Sequence, residues 1–87
     1  MKYYVYILYS QSFNLYYKGM TSSPKQRLFE HNNGLSRFTK DKGPWEMVYL
    51  EEMSNKKEAL IRERKLKKYN HGYLTKLIQQ PQNQIEH

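Results

Sequence analysis

The sequence predicts an α+β fold, a three-stranded antiparallel sheet flanked by helices, in the order β-β-α-β-α-α. Three observations carry that expectation. Two runs rich in aromatic and apolar residues, Tyr3–Tyr9 and Leu15–Met20, are separated by a short polar stretch, as the strands of a hairpin are. A third such run is centred on Met47-Val48-Tyr49-Leu50. Between and after these runs, apolar residues fall at helical spacing and are bracketed by start and stop signals. The 87 residues suffice for one domain and leave no room for two.

Each element has a local reason. Tyr3–Tyr9 is apolar on both faces, which suits a central strand covered on both sides. Tyr4, Tyr6 and Leu8 share one face; Tyr3, Val5, Ile7 and Tyr9 share the other. Asn14 can take the turn conformations of the hairpin. Gly19, near the end of the second strand, fits a close backbone approach or a bulge. The first helix starts at Ser23 as N-cap, with Pro24 at its first position and Gln26 completing a Ser-x-x-Gln capping box. It runs to about Asn32, and Gly34 fits its stop.

Leu35 to Pro44 is a loop, and Trp45 to Glu51 is the third strand. Ser54 or Asn55 caps a second helix that runs to about Tyr69, with Asn55-x-x-Glu58 as a capping box. Asn70-His71-Gly72 breaks it. Tyr73, Leu74, Leu77 and Ile78 then repeat at helical spacing in a third helix. Residues 1–79 are expected to form the single domain and 80–87 a polar, frayed tail.

Composition narrows the function. There is no cysteine, which excludes disulfides and thiolate metal sites. No apolar run approaches the roughly 18 residues of a membrane span. The start lacks a signal-peptide pattern, so a cytoplasmic protein is expected. A formal net charge of +7 attracts polyanions, of which nucleic acid is the commonest.

Five side chains stand out as candidates for chemistry. Glu63 falls near the middle of the apolar face that Ala59, Leu60 and Leu66 make on the second helix. A carboxylate there needs compensation. Three readings are open: an ion pair with Arg27, Lys67 or another base, a helix edge that reaches water, or a ligand for a hard divalent cation. Arg27 and His31 are four apart on one face of the first helix. An arginine there could fork onto a phosphate, and a histidine could orient a hydroxyl or take a proton. Tyr6 and Tyr17 are either core residues with satisfied hydroxyls or, with cations near, acid–base groups.

The ordered set Val5-Tyr6, Tyr17-x-Gly19, Arg27-x-x-x-His31-Asn32 and Ala59-x-x-x-Glu63 resembles the GIY-YIG nuclease superfamily, its small single-domain branch in particular. The resemblance covers roughly residues 3 to 75. Tyr4 stands where the name motif has Gly, Lys18 where it has Ile, and Met20 where some members place a lysine. The resemblance implies a three-stranded antiparallel sheet with helices and metal-dependent endonuclease chemistry on DNA. It implies Mg²⁺ or Mn²⁺ on Glu63, Arg27 stabilising the phosphate, and His31 assisting by hydrogen bonding. It also implies a tyrosine as base: Tyr17 with Tyr6 positioning water, or the reverse. No separate DNA-binding domain is visible in the chain. Lys18, Arg37, Lys40, Lys42 and Lys67, with Lys65 and Lys68, are therefore the candidates for backbone contact. No base-reading motif is apparent, so selection by structure rather than sequence is expected. A non-catalytic nucleic-acid-binding module on the same fold is the alternative.

Overall fold

The computed structural model describes residues 2–85. Its elements are β1 (Tyr3–Ser10), β2 (Leu15–Thr21), α1 (Pro24–Asn32), β3 (Glu46–Met53), α2 (Lys56–Lys68) and α3 (His71–Ile78), the expected order. The sheet is antiparallel with strand order β2-β1-β3, so the doubly apolar strand is the central one. β1 splits its side chains between two cores. Val5 and Ile7 pack with Ala59, Leu66, Leu74 and Leu77 from α2 and α3. Tyr6 and Leu8 pack on the other face with Trp45, Tyr17 and Leu28.

Opposite β1, Ile7 pairs with Tyr49 but Leu8 pairs with Met47. Val48 is therefore the extra residue of a bulge. It lets Val48 and Tyr49 both join the α2 side, while Met47 stays on the Tyr6 side.

The ends of α1 and α2 are built differently. Asn55 Oδ1 accepts the Glu58 N–H at 2.9 Å, the expected cap of α2. Ser23 is the N-cap residue of α1, with Pro24 after it, but its side chain makes no capping bond. The expected Ser-x-x-Gln box does not form. Thr21 Oγ1 instead accepts the Ser23 N–H at 3.0 Å, and the Gln26 amide turns to Glu30. The stop is as expected. Gly34 has φ 72°, and the Leu35 N–H closes back on the Glu30 carbonyl at 2.9 Å.

The tail is not frayed from residue 80. Asn83 Nδ2 donates to the Val48 and Ile78 carbonyls at 2.9 and 2.8 Å, and Asn83 Oδ1 accepts the Leu50 N–H at 3.0 Å. The Gln84 N–H donates to the Leu50 carbonyl at 2.9 Å. β3 is an edge strand whose outer polar groups need partners, and a short polar segment supplies them. Glu86 and His87, which belong to the same expected tail, lie outside the described residues.

Candidate active site

The site is assembled around one phenol. In the β1–β2 register Tyr6 lies opposite Gly19, and Leu8 opposite Tyr17. These residues share a sheet face, so the Tyr6 ring crosses the backbone of β2. A Cβ built on Gly19 would fall 2.5 Å from the Tyr6 hydroxyl oxygen. Gly19 is thus the close approach that its position suggested, and any larger residue would displace the phenol.

α1 brings two more groups. His31 is buried, and its Nε2 lies 2.9 Å from the Tyr6 hydroxyl. The Tyr17 ring packs against the imidazole, tilted by 59° with centroids 4.8 Å apart, and lies 6.4 Å from the Tyr6 ring. The Arg27 guanidinium lies close enough to the Tyr6 hydroxyl to lower its pKa. Its Nη1 donates to Glu30 at 2.8 Å. Arg27 and His31 at i and i+4 therefore do face one target, as their spacing suggested.

Burial pushes the Tyr6 hydroxyl up to about 12, and the hydrogen bond and charge of Arg27 only partly oppose it. Tyr17 and Glu63 add to the rise as nearby sources of negative charge. Burial holds His31 down at about 4, with Arg27 acting in the same direction and Glu30 against it. At neutral pH the pair is thus phenol and neutral imidazole.

Glu63 comes from α2 on the other side of the sheet. Its side chain is only 15% exposed, and Lys67 Nζ is 3.8 Å away. That separation, to an ammonium that is itself mostly solvated, makes a loose pair of small energy. Of the three readings of Glu63, the ion pair to Lys67 is thus present, though loose. Lys18 leans towards the same helix: burial lowers it first, and the charge of Lys67 lowers it further. Lys67 thus borders Glu63, with Lys18 near enough to Lys67 to feel its charge. Arg37, Lys40 and Lys42 stand exposed on the loop between α1 and β3, and Lys65 and Lys68 on α2.

That loop carries residues the sequence reading passed over. Asn32 Nδ2 donates to the Trp45 carbonyl at 3.0 Å, and the Trp45 N–H donates to Asn32 Oδ1 at 2.7 Å. Trp45 Nε1 then donates to the Thr39 carbonyl at 3.1 Å. Pinned this way, Thr39 is buried and sets its hydroxyl 2.7 Å from His31 Nδ1. Asn32 carried a signal in the Arg27-x-x-x-His31-Asn32 motif. Thr39 carried none, because nothing local marks a loop threonine as buried. An open cleft of about 760 Å³ borders His31, Thr39, Lys40 and the turn at Gly34.

The profile of the GIY-YIG catalytic domain family matches residues 2–73. A UPF0213 protein of Clostridium perfringens is 40% identical over 76 residues, 86% of this chain and 81% of its own length. One from Staphylococcus epidermidis is 38% identical over 80 residues, 91% of this chain and 96% of its own. The solution NMR structure of a UPF0213 protein from Bacillus halodurans superposes with a TM-score of 0.59 at 26% identity, covering 94% of this chain and 87% of that one. The match spans every strand and helix that holds Tyr6, Tyr17, Arg27, His31 and Glu63, and the chain belongs to the GIY-YIG catalytic domain family of nucleases.

Proposed function

We propose that this chain is a divalent-cation-dependent endonuclease of the cytoplasm, hydrolysing phosphodiester bonds in DNA and selecting its substrate by structure. The observation that carries this reading is the gathering of His31, Arg27 and the Tyr17 ring around Tyr6, with Glu63 near enough for its charge to act on the hydroxyl. A merely structural tyrosine needs one partner for its hydroxyl, not several polar neighbours.

Each group has work that fits its surroundings. Tyr6 suits positioning rather than proton abstraction, since a phenol held up at about 12 keeps its proton. The Tyr17 hydroxyl has no hydrogen-bond partner among the described residues and is the better placed of the two to take a proton from water, once it has lost its own to solvent and is a phenolate. Arg27 spends one nitrogen on Glu30, leaving further donors for a phosphate oxygen. Glu63 fits Mg²⁺ or Mn²⁺: it is a shielded hard oxygen donor with only a loose cationic neighbour. No cluster of three or more acidic or histidine side chains that could hold a metal exists among the described residues, so water and substrate phosphate would fill the remaining shell. A bound cation would supply charge stabilisation at the leaving oxygen.

The surface fits a nucleic-acid substrate. Arg37, Lys40 and Lys42 supply charge beside the site, and Phe38 on the same loop is 72% exposed. An exposed ring among basic side chains suits stacking on an unpaired base, which favours open or branched structures over plain duplex. The test is a nicking assay with and without Mg²⁺ on single-stranded, duplex, flap and branched DNA and on RNA, with binding followed by anisotropy. Cleavage should need the cation and favour DNA with unpaired segments. The logarithm of affinity should fall with log salt by about 0.9 per duplex phosphate neutralised. Salt-dependent binding with no cleavage of any substrate would favour the non-catalytic module instead.

A further inference from the structure

The hydrogen bonds around His31 form a chain of four groups. Tyr6 Oη lies 2.9 Å from Nε2, Nδ1 lies 2.7 Å from Thr39 Oγ1, and Thr39 Oγ1 lies 3.4 Å from the Ser36 carbonyl. A neutral imidazole has one N–H and one lone pair, so the chain can run in only two directions. If Thr39 donated to Nδ1, then Nε2–H would point at Tyr6. Arg27, the other side chain that acts on the Tyr6 hydroxyl, has donors only and cannot accept its proton. The Tyr6 proton would then have no acceptor among the described residues. In the opposite direction every proton is placed. Tyr6 donates to Nε2, Nδ1–H donates to Thr39, and Thr39 donates to a carbonyl, which can only accept. Leaving a buried hydroxyl proton unplaced carries that donor's full desolvation penalty, which decides the direction.

We propose that Thr39 is a positioning residue of this site: it accepts the Nδ1–H of His31, passes its own proton to the Ser36 carbonyl, and so commits Nε2 to the Tyr6 proton. The Tyr6 oxygen is thereby kept as an acceptor on the side of Arg27. Without Thr39 the imidazole is free to take the other tautomer and turn Tyr6 over. The loop between α1 and β3 thus sets which way the phenol points, although it supplies no group to the reacting atoms. The kinetic part of this proposal rests on the hydrolytic reading above; the tautomer part does not.

The test uses the full chain in two measurements. Long-range ¹H–¹⁵N correlation spectra report the tautomer of His31, one of three histidines, assigned by loss of its signals in His31→Gln. The wild type should carry its proton on Nδ1. Thr39→Val, which removes the hydroxyl at nearly constant shape, strands the Nδ1–H without its acceptor and should raise the share of the Nε2–H tautomer. Thr39→Ser should restore Nδ1. In single-turnover cleavage Thr39→Val should lose about ten- to a hundredfold in rate, with substrate affinity little changed, as removal of an orienting partner does elsewhere. Thr39→Ser should lie within about threefold of wild type, since it keeps the same donor and acceptor. A wild-type Nε2–H tautomer overturns the proposal, and so does Nδ1–H retained undiminished in Thr39→Val. A shifted tautomer with an unchanged cleavage rate overturns the positioning role. If the wild type cleaves nothing, the hydrolytic reading fails, and the spectra alone decide the direction of the chain.

Discussion

Two buried tyrosines on opposite faces of the sheet differ in what their hydroxyls end on. Burial pushes both Tyr6 and Tyr49 up to about 12. Tyr49 donates to Glu51 at 2.5 Å, and Glu51 accepts from Arg62 Nε at 3.1 Å. That network closes on itself: a phenol, a carboxylate and a guanidinium, with the charges paired and largely shielded. Tyr6 ends on a neutral imidazole instead. Beside it, Arg27 keeps spare donors, and the Tyr17 hydroxyl has no hydrogen-bond partner among the described residues. The same residue type at the same degree of burial is a fastener on one face and part of an open polar site on the other. A perturbed tyrosine is therefore weak evidence of function, and the unsatisfied capacity of its neighbours is the better guide.

Mutating one group on each face breaks the comparison most sharply. Tyr17→Phe and Glu63→Gln should each lower cleavage at least about a hundredfold, the lower range for a general base. Both should stay within about 1.5 kcal/mol of wild-type stability, a hydrogen bond's worth. Glu51→Gln should do the reverse. It leaves Arg62 without its carboxylate partner, and should cost about 1–3 kcal/mol for a partly shielded pair while leaving cleavage per folded molecule unchanged. Urea melts beside single-turnover rates separate the two patterns. If Glu63→Gln is the one that melts early and cuts normally, Glu63 is a fastener too and the cation reading falls.

Acid tests the same contrast more gently. His31 has a folded value of about 4 against an ordinary 6.5, so between those pH values the unfolded chain binds the extra proton. The stability that follows is fully present above pH 6.5 and is lost as pH falls towards 4, by at most about 3 kcal/mol. His31→Gln should therefore flatten the stability profile between pH 6.5 and 4, and Tyr49→Phe should not. In alkali the faces behave alike. Both tyrosines are raised, so each contributes stability that is present below pH 10 and is lost as pH climbs towards 12.

Much of this molecule was legible in its sequence because the signals were local. Tyr3–Tyr9 announced a central strand by being apolar on both faces, and Gly19 announced a close approach whose occupant proved to be Tyr6. The meeting of Arg27, His31 and Tyr6 followed from helical spacing and family pattern. Thr39, the Asn32–Trp45 clamp and the Asn83 dock were not legible. Each is a polar side chain whose partner lies 8 to 35 residues away, and polarity in a loop reads as solvent exposure until the fold brings the partner in. The Val48 bulge was hidden for a similar reason, since an extra residue shows only against the strand it pairs with.

The smallest expected effect concerns how each face anchors its helix. Both α1 and α2 begin at a residue favoured for N-caps, and sequence alone treated Ser23 and Asn55 alike. In the fold they are not alike. Asn55 satisfies the Glu58 N–H, so Asn55→Ala should destabilise by about 1 kcal/mol. The Ser23 hydroxyl caps nothing, and Thr21 does the local work by accepting the Ser23 N–H. Ser23→Ala should then stay within about 0.5 kcal/mol of wild type, as a surface change with no lost partner does. Thr21→Val should cost more than Ser23→Ala, by about one modest hydrogen bond of 0.5–1.5 kcal/mol. Thermal melts of the three variants rank them. A Ser23→Ala loss equal to that of Asn55→Ala would mean that Ser23 turns inward to cap α1 in solution. The start of the helix that carries Arg27 and His31 would then be built as the sequence first suggested.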